Sequence, residues 1–475
     1  MYVRFSLQWG PIFPQRLGSR EKMHTLGRPR RAAPTVFIAN ENFRKEVSTM
    51  SKNRKGPLTR RKFLEGVGGS AVALTAARRL EASPLSANSA GPIGPGASEK
   101  QVKIGIVGGG FGASFQWHLD PNCKVVALCD LREDRLKRLT DVYGPGQTYK
   151  SFREFLKHPQ LDAVAVFTPA PLHVWMATEA MKAGKHVISA VPAGMSAEEL
   201  EQLLECVKKT GLKYMMAETS YYHAEIMTCR EWRQQGKFGT IFYSEAEYHH
   251  EGLMALMFDE RGFPTWRHGF PPMHYPTHCT GMVIPVTGER LAEVQAVGWG
   301  DGHEVLQTNE YENPFWNATG FFKTSGGHPC RISVFWHVAA GGTERAHFYG
   351  DRLSYIMARP EKSPNTVIQI TKDGKTVIDA NGYPEGEVRI EPHELPTYFE
   401  RLPEPMRVKT GHGNSHTFLT HEFIRSIVED RNPAVDVYEA IAYTLPGIIA
   451  HQSALRGGEV LKIKDYGKAN EGNHG

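Results

Sequence analysis

From Gln101 onward, short apolar runs alternate with amphipathic stretches. Val102–Val107, Lys124–Cys129, Asp162–Phe167 and Leu212–Ala217 are mostly apolar, the pattern of strands buried on both faces, and Lys185–Ser189 reads as a further strand around Val187-Ile188. His173–Gly184 and Ser196–Thr210 carry a helical period, and Ser196 with Glu199 has the spacing of a capping box. The βαβαβ order predicts a doubly wound parallel sheet over 101–222. The pattern then changes. Strands are predicted at Ile241–Glu247, Glu293–Gly298, Asn317–Thr324, Arg331–Val338, Ala346–Gly350 and Ser354–Ala358. Thr376–Asp379 follows an Asp373-Gly374 hairpin turn. Pro-rich stretches at 360–364 and 391–406 read as loops, and helices return at Ser415–Val428 and Val437–Leu455. Residues 223–475 therefore read as a second, α+β domain with C-terminal helices.

The first hundred residues share none of this. The formal charge of +5 suggests a polyanion as partner, but residues 1–100 hold 18 Lys and Arg against 6 Asp and Glu. That leaves 38 against 45 for 101–475, so the folded body is mildly acidic and has no electrostatic motive to bind nucleic acid. Thr59-Arg60-Arg61-Lys62-Phe63-Leu64 resembles a twin-arginine motif, and the uncharged run Gly66–Ala77 is too short to span a bilayer. Residues 50–100 read as an export signal and linker, with Ala87-Asn88-Ser89 as a weak cleavage site. The expected partner is the twin-arginine translocase, and the expected location is the periplasm or cell envelope. Residues 1–49 precede Met50 and read as a mis-annotated leader. The six cysteines are scattered without a CxxC and read as buried free thiols.

Strand Val102–Val107 runs into Gly108-Gly109-Gly110-Phe111-Gly112-Ala113, a GxGxxA loop expected to open a helix. Gly108 suits the tight turn, Gly110 admits a pyrophosphate, and Ala113 fills the small third position. Asp130 ends the next strand, where a carboxylate accepts the ribose hydroxyls and repels a 2′-phosphate. NAD is therefore favoured over NADP, with Arg132 leaving the latter open.

These segments, with Thr168-Pro169, Ala183–Val187 and the Pro192 turn, resemble the glucose–fructose oxidoreductase/inositol dehydrogenase (Gfo/Idh/MocA) family. The resemblance implies a Rossmann domain followed by a domain built on a large, open mixed sheet, which often forms homo-oligomers. It adds Phe111, Gly112, Thr168, Pro169, His173, Val191 and Pro192 to the cofactor site. The family's acid–base Lys is missing from the turn Ala190-Val191-Pro192, and its Asp and His map to His274 and His278. A narrower resemblance, to the redox-assisted NAD-dependent α-N-acetylgalactosaminidases, accounts for Val-Pro. Met215-Met216-Ala217-Glu218, Tyr248-His249-His250 and Tyr275-Pro276-Thr277-His278 resemble that family's motifs.

That resemblance implies transient oxidation at C3 of a bound sugar, loss of the acidified C2 proton, elimination at C1, addition of water and return of the hydride. Tyr275 and His278 are the candidates for proton transfer at C2 and C3. Tyr248 and His250 alternate along one strand and serve the leaving group or the water. Glu218 holds sugar hydroxyls or orients nicotinamide. His416 is placed within reach of the site, and Trp266-Arg267 either clamps the sugar or anchors its loop. His274 and His278, with His249 and His250 nearby, also have a metal-ligand spacing, but no carboxylate or Cys cluster is seen to complete it, and no metal is expected. Two other readings stand beside this one. They are an ordinary NAD(P)-dependent sugar or polyol dehydrogenase with displaced acid–base groups, and a non-catalytic sugar- or nucleotide-binding relative.

Overall fold

Six parallel strands form the first sheet: β1 (Val102–Val107), β2 (Cys123–Cys129), β3 (Gln147–Tyr149), β4 (Ala163–Val166), β5 (His186–Ser189) and β6 (Tyr214–Met216). Their order is β3-β2-β1-β4-β5-β6, so strand order reverses between β1 and β4, the switch point where doubly wound sheets bind ligands. The connecting helices are α1 (Glu133–Tyr143), α2 (His173–Lys182) and α3 (Ala197–Thr210). Helix α3 shows how the chain encodes them. Ser196 caps its start by accepting from Glu199 N–H, Lys208 and Lys209 occupy the last turn, and Gly211 ends it in the left-handed region. Glu199 departs from the expected capping box by reaching Met195 N–H, one residue before the cap (2.7 Å). Leu200, Leu203 and Leu204 form the buried stripe, each contributing about 2 kcal/mol.

The structure is a computed structural model that describes residues 99–339, 342–358 and 363–469. The twin-arginine motif, the apolar run after it, the cleavage site and Met50 lie outside the described residues. The described residues belong to one unit, Ala82–Gly475.

After β6, helix α4 (Ala224–Gln234) leads into β7 (Ile241–His249). Then come α5 (Thr277–Thr287), β8 (Leu291–Trp299), β9 (Asn317–Thr324), β10 (Pro329–Phe335), β11 (Thr343–Gly350), β12 (Leu353–Ile356) and β13 (Thr366–Thr371). With Glu387–Pro392 and Leu461–Lys462 at its edges, this sheet has nine strands, ordered Glu387–Pro392, β13, β12, β11, β7, β10, β9, β8, Leu461–Lys462. Only β7 and β10 pair in parallel, so the sheet is mixed. Its inner face, with Ala246, Tyr248, Ile332, Val334, Ala346 and Phe348, is buried. The outer face carries the ion pairs Arg331–Glu245 and Arg345–Glu247 and exposes Val297, Trp299 and Phe321.

Helices α6 (Ser415–Val428) and α7 (Val437–Leu455) return to the first sheet and join the two halves. Thr420 donates to Phe115 O (2.6 Å), Met216 N–H to Val435 O (3.0 Å), and His421 meets Asp120 (2.7 Å). All six cysteines are buried free thiols.

Several elements differ from expectation. The glycine loop opens not into an α-helix but into two 3-10 turns, Phe111–Ser114 and Trp117–Leu119, with Gln116 left-handed between them. This bend buries Phe115 on His416 (4.6 Å) and brings Trp117 near Phe423 (6.2 Å). β10 stops at Phe335, because Trp336 turns inward and donates its indole N–H to Phe270 O (2.9 Å). Glu387–Pro392 is an exposed edge strand where the Pro-rich loop was expected to begin by 391.

Candidate functional site

A cleft of about 350 Å³ opens where the carboxyl ends of β1, β4 and β5 face the second sheet. One wall is Gly110, Phe111, Thr168, Pro169 and Val191; the other is Tyr248, His250, Trp266, Arg267, Tyr275 and His278. Gly108 (φ +100°) makes the turn, and a Cβ there would lie 2.2 Å from Phe167 O. A Cβ on Gly110 would instead find nothing closer than Arg135, at 3.9 Å, so the loop backbone stays open to a pyrophosphate. Gly112 and Ala113 are buried behind it. Asp130 accepts Gly109 N–H (2.7 Å) and Arg132 N–H (2.9 Å), so its carboxylate braces the loop. These residues fit a dinucleotide along the first wall.

His173 does not reach the cleft. It is buried, with its ring nitrogens 2.8 Å from Pro192 O and 2.9 Å from Thr168 O, and ties the two cofactor-side turns together. Pro192 likewise supports Val191 rather than lining the space itself.

The second wall is built around His278. Helix α5 is buried almost all round and projects His278 toward β7, where Tyr248 lies 4.5 Å away and Tyr275 5.1 Å (ring centroids). His278 Nδ1 meets Glu218 Oε1 (2.9 Å), with Ser220 Oγ at 3.2 Å and Glu344 Oε1 at 3.7 Å. Ser220 Oγ also donates to Glu344. Burial alone would lower the His278 pKa, but the two carboxylates outweigh it and raise it to about 9. Burial likewise pushes Glu218 up, and the adjacent His278 charge brings it below its ordinary value. At neutral pH the group is an imidazolium held between carboxylates. Its Nδ1 edge is engaged, and the ring donates protons rather than accepting them.

Glu218 therefore does not hold sugar or nicotinamide. It is fully buried, caps the turn Thr219–Tyr222 through Ser220 N–H (2.9 Å) and fixes His278. Burial raises the pKa of Tyr248 well above its ordinary value and that of Tyr275 upward, so both hydroxyls stay protonated at neutral pH. His250 lies just past the end of β7, and its ring is 5.6 Å from Tyr248, so both border the cleft. Arg267 stacks on Trp266 at 4.2 Å and lies 5.9 Å from the Tyr275 ring, on the cleft side of its loop.

His274 does not pair with His278. Its buried ring faces His451 (5.0 Å), and burial lowers its pKa to about 3. The missing carboxylates exist elsewhere: Glu218, His278 and Glu344 bring ligand-type atoms within 4.8 Å of one another, with Glu218 Oε1 engaged by His278 and Glu218 Oε2 buried without a hydrogen-bond partner.

Sequence reasoning missed Glu344 and His412. Glu344 sits opposite Tyr248 on β11, in phase with buried Ala346 and Phe348. An acid in the apolar phase of a strand was the available signal. His412 borders the cleft from a Gly-His-Gly-Asn turn with positive φ at His412, Gly413 and Asn414. His416, expected near the site, stands behind it and holds His412 Nδ1 at 2.9 Å.

Residues 102–218 match the family described as "Oxidoreductase family, NAD-binding Rossmann fold" (GFO_IDH_MocA). A "Glycosyl hydrolase family 109 protein" of Solibacter usitatus is 25% identical over 401 residues, covering 77% of this chain and 88% of the relative. One from Shewanella amazonensis is 31% identical over 199 residues, covering 38% of this chain and 44% of the relative. The scyllo-inositol dehydrogenase of Lactobacillus casei, solved with NAD(H) and scyllo-inositol, has the same fold (TM-score 0.55, 17% identity, 76% of this chain and 99% of that one). Residues 102–218 are therefore an NAD-binding Rossmann domain of the Gfo/Idh/MocA oxidoreductase type, and the chain as a whole shares the two-sheet fold of the inositol dehydrogenase.

Proposed function

We propose that the protein cleaves a glycoside by transient oxidation of the sugar at C3, with no net redox change. The observation that carries this reading is the second wall. Apolar Val191 stands where the family has its acid–base Lys, while Tyr248, His250, Tyr275 and charged His278 crowd the opposite side. A simple dehydrogenase needs one proton acceptor; elimination and water addition need several proton-transfer groups at separate carbons. NAD held along Gly110, Thr168, Pro169 and Val191 would supply a reversible hydride acceptor. His250, whose Nδ1 faces Glu251 O (3.0 Å) and so leaves Nε2 to accept, takes the C3 hydroxyl proton as the hydride leaves and gives it back when the hydride returns; His278 donates a hydrogen bond to the C3 oxygen, Tyr275 supports it, and Tyr248 serves the leaving group and the water. The name of the Solibacter relative supports the same reading.

The test is incubation of purified protein with chromogenic glycosides in D₂O, with and without added NAD⁺. Aglycone release with deuterium at C2 and no lasting NADH is expected. Stoichiometric NADH formed from free sugars, with no aglycone released, refutes the proposal in favour of an ordinary dehydrogenase.

The same reading includes export through the twin-arginine route, supported by Arg60 and Arg61. A reporter fused to residues 1–100 should reach the cell envelope, and R60K/R61K should retain it in the cytoplasm. It also includes a homo-oligomer on the outer face of the large sheet, supported by exposed Trp299 and Phe321. Light scattering should give a multiple of the chain mass.

A further inference from the structure

We propose that His412 is the base that removes the C2 proton of the bound, C3-oxidised sugar, with its lone pair aimed by a relay through His416 to the Ser114 carbonyl. The inference deepens the proposed glycoside cleavage and rests on it.

Ser114 O lies 3.0 Å from His416 Nδ1, and a carbonyl can only accept, so Nδ1 carries the proton. Burial lowers the His416 pKa to about 4, so the ring is neutral and its Nε2 is bare. That bare nitrogen lies 2.9 Å from His412 Nδ1, which must be the donor. A neutral His412 then has an unprotonated Nε2 on the opposite edge of its ring. One carbonyl thus sets both tautomers.

The surroundings keep His412 neutral until it reacts. Phe111 packs edge-on at 5.4 Å, and His416 at 5.0 Å backs the ring from α6. His412 is exposed at its turn, yet partial desolvation where its ring packs on the cleft wall lowers its pKa first, the positive His278 lowers it further, and His223 adds to this; Glu344 and Glu218 oppose them. Of the three histidines that line the cleft, His278 and His412 have opposite character: His278 is charged and donating, His412 neutral and accepting. Environments that push two titratable groups apart in this way assign the acid and the base.

The step balances without any further reactant. The C2–H bond breaks and its proton passes to His412 Nε2. The electron pair enters the enolate, whose C3 oxygen accepts a hydrogen bond from His278. Collapse of the enolate then breaks the C1–O bond, and the leaving oxygen takes the pair. His412 becomes an imidazolium whose Nδ1–H still has His416 as acceptor. The proton returns to C2 when water adds.

The turn is exposed at its tip, so H412Q should fold. It should retain formation of NADH on the first hydride transfer while C2 deuterium exchange falls about 100-fold or more. The acidic limb of the wild-type pH–rate profile should disappear with it. H416F keeps the ring that stacks on Phe115 and removes both the acceptor for His412 and the donor to Ser114 O, that is, the whole relay. It should shift that limb without abolishing exchange, as expected of a positioning residue. Imidazole should partly restore exchange to H412G. C2 exchange at the wild-type rate in H412Q overturns the proposal. So does ¹⁵N NMR of the substrate-free protein showing a proton on His412 Nε2 rather than Nδ1 at neutral pH. Absence of aglycone release by the wild type, with NADH accumulating, refutes the glycoside reading instead, and the NMR result still decides the tautomer.

Discussion

Replacing Glu218 by glutamine removes one charge beneath His278 and almost no volume. In the folded protein burial disfavours the imidazolium, yet Glu218 and Glu344 raise its pKa from 6.5 to about 9. At 1.36 kcal/mol per unit, that shift corresponds to an upper figure of about 3 kcal/mol of folding free energy. The sign follows from linkage. A raised histidine pKa adds stability that is complete below pH 6.5 and is lost as pH rises through about 9. The Glu218 carboxyl is lowered from 4.5, so its contribution is present above 4.5 and is lost as pH falls through its folded value. The pair therefore stabilises the fold most between about 4.5 and 6.5. In E218Q the amide oxygen would still accept Ser220 N–H but could not hold the charge, leaving Glu344 alone. Urea unfolding of both proteins should show E218Q weaker by about 2–3 kcal/mol near pH 6, with the gap closing toward pH 10. The His278 Cε1–H titration should move down by about one unit or more. A stability gap that does not change with pH, or a His278 that titrates near 6.5 in the wild type, would refute the reasoning.

G108A should cost about 2–3 kcal/mol in urea unfolding, since φ is +100° and the added Cβ meets Phe167 O at 2.2 Å. G110V should leave the melting temperature within a few degrees and weaken NAD binding at least about tenfold by calorimetry, because its side chain would enter the open cleft. D130N should weaken NAD about tenfold and narrow the preference over NADP. The amide can keep only one of the contacts to Gly109 and Arg132 N–H, and the charge that repels a 2′-phosphate is gone.

Parts of this protein were legible from residue order alone. Helices Ser415–Val428 and Val437–Leu455 and strand Asn317–Thr324 have the bounds their periodicity predicts. Strands β1 to β6 could be read, except β3, because a parallel sheet buries both faces and leaves continuous apolar runs. α5 was not legible. It is buried nearly all round and contains Gly281 and Pro285, so it has no amphipathic stripe to detect. Glu387–Pro392 was missed for the opposite reason, being exposed along its whole length.

The division is the same at the site. Local order determined the glycine loop, Asp130 and the Tyr-Pro-Thr-His run, because turns and short motifs depend on neighbours in sequence. Tertiary structure alone decided the charge states. His278 is an acid because β11 brings Glu344 and the β6 end brings Glu218 to the same nitrogen. His274, four residues away on the same segment, faces His451 and stays neutral. His412 acquires its tautomer from a carbonyl in the glycine loop, three hundred residues distant in the chain. Residue identity specifies which groups can titrate. Long-range packing sets the desolvation and the neighbouring charge at each ring, and those set where it titrates.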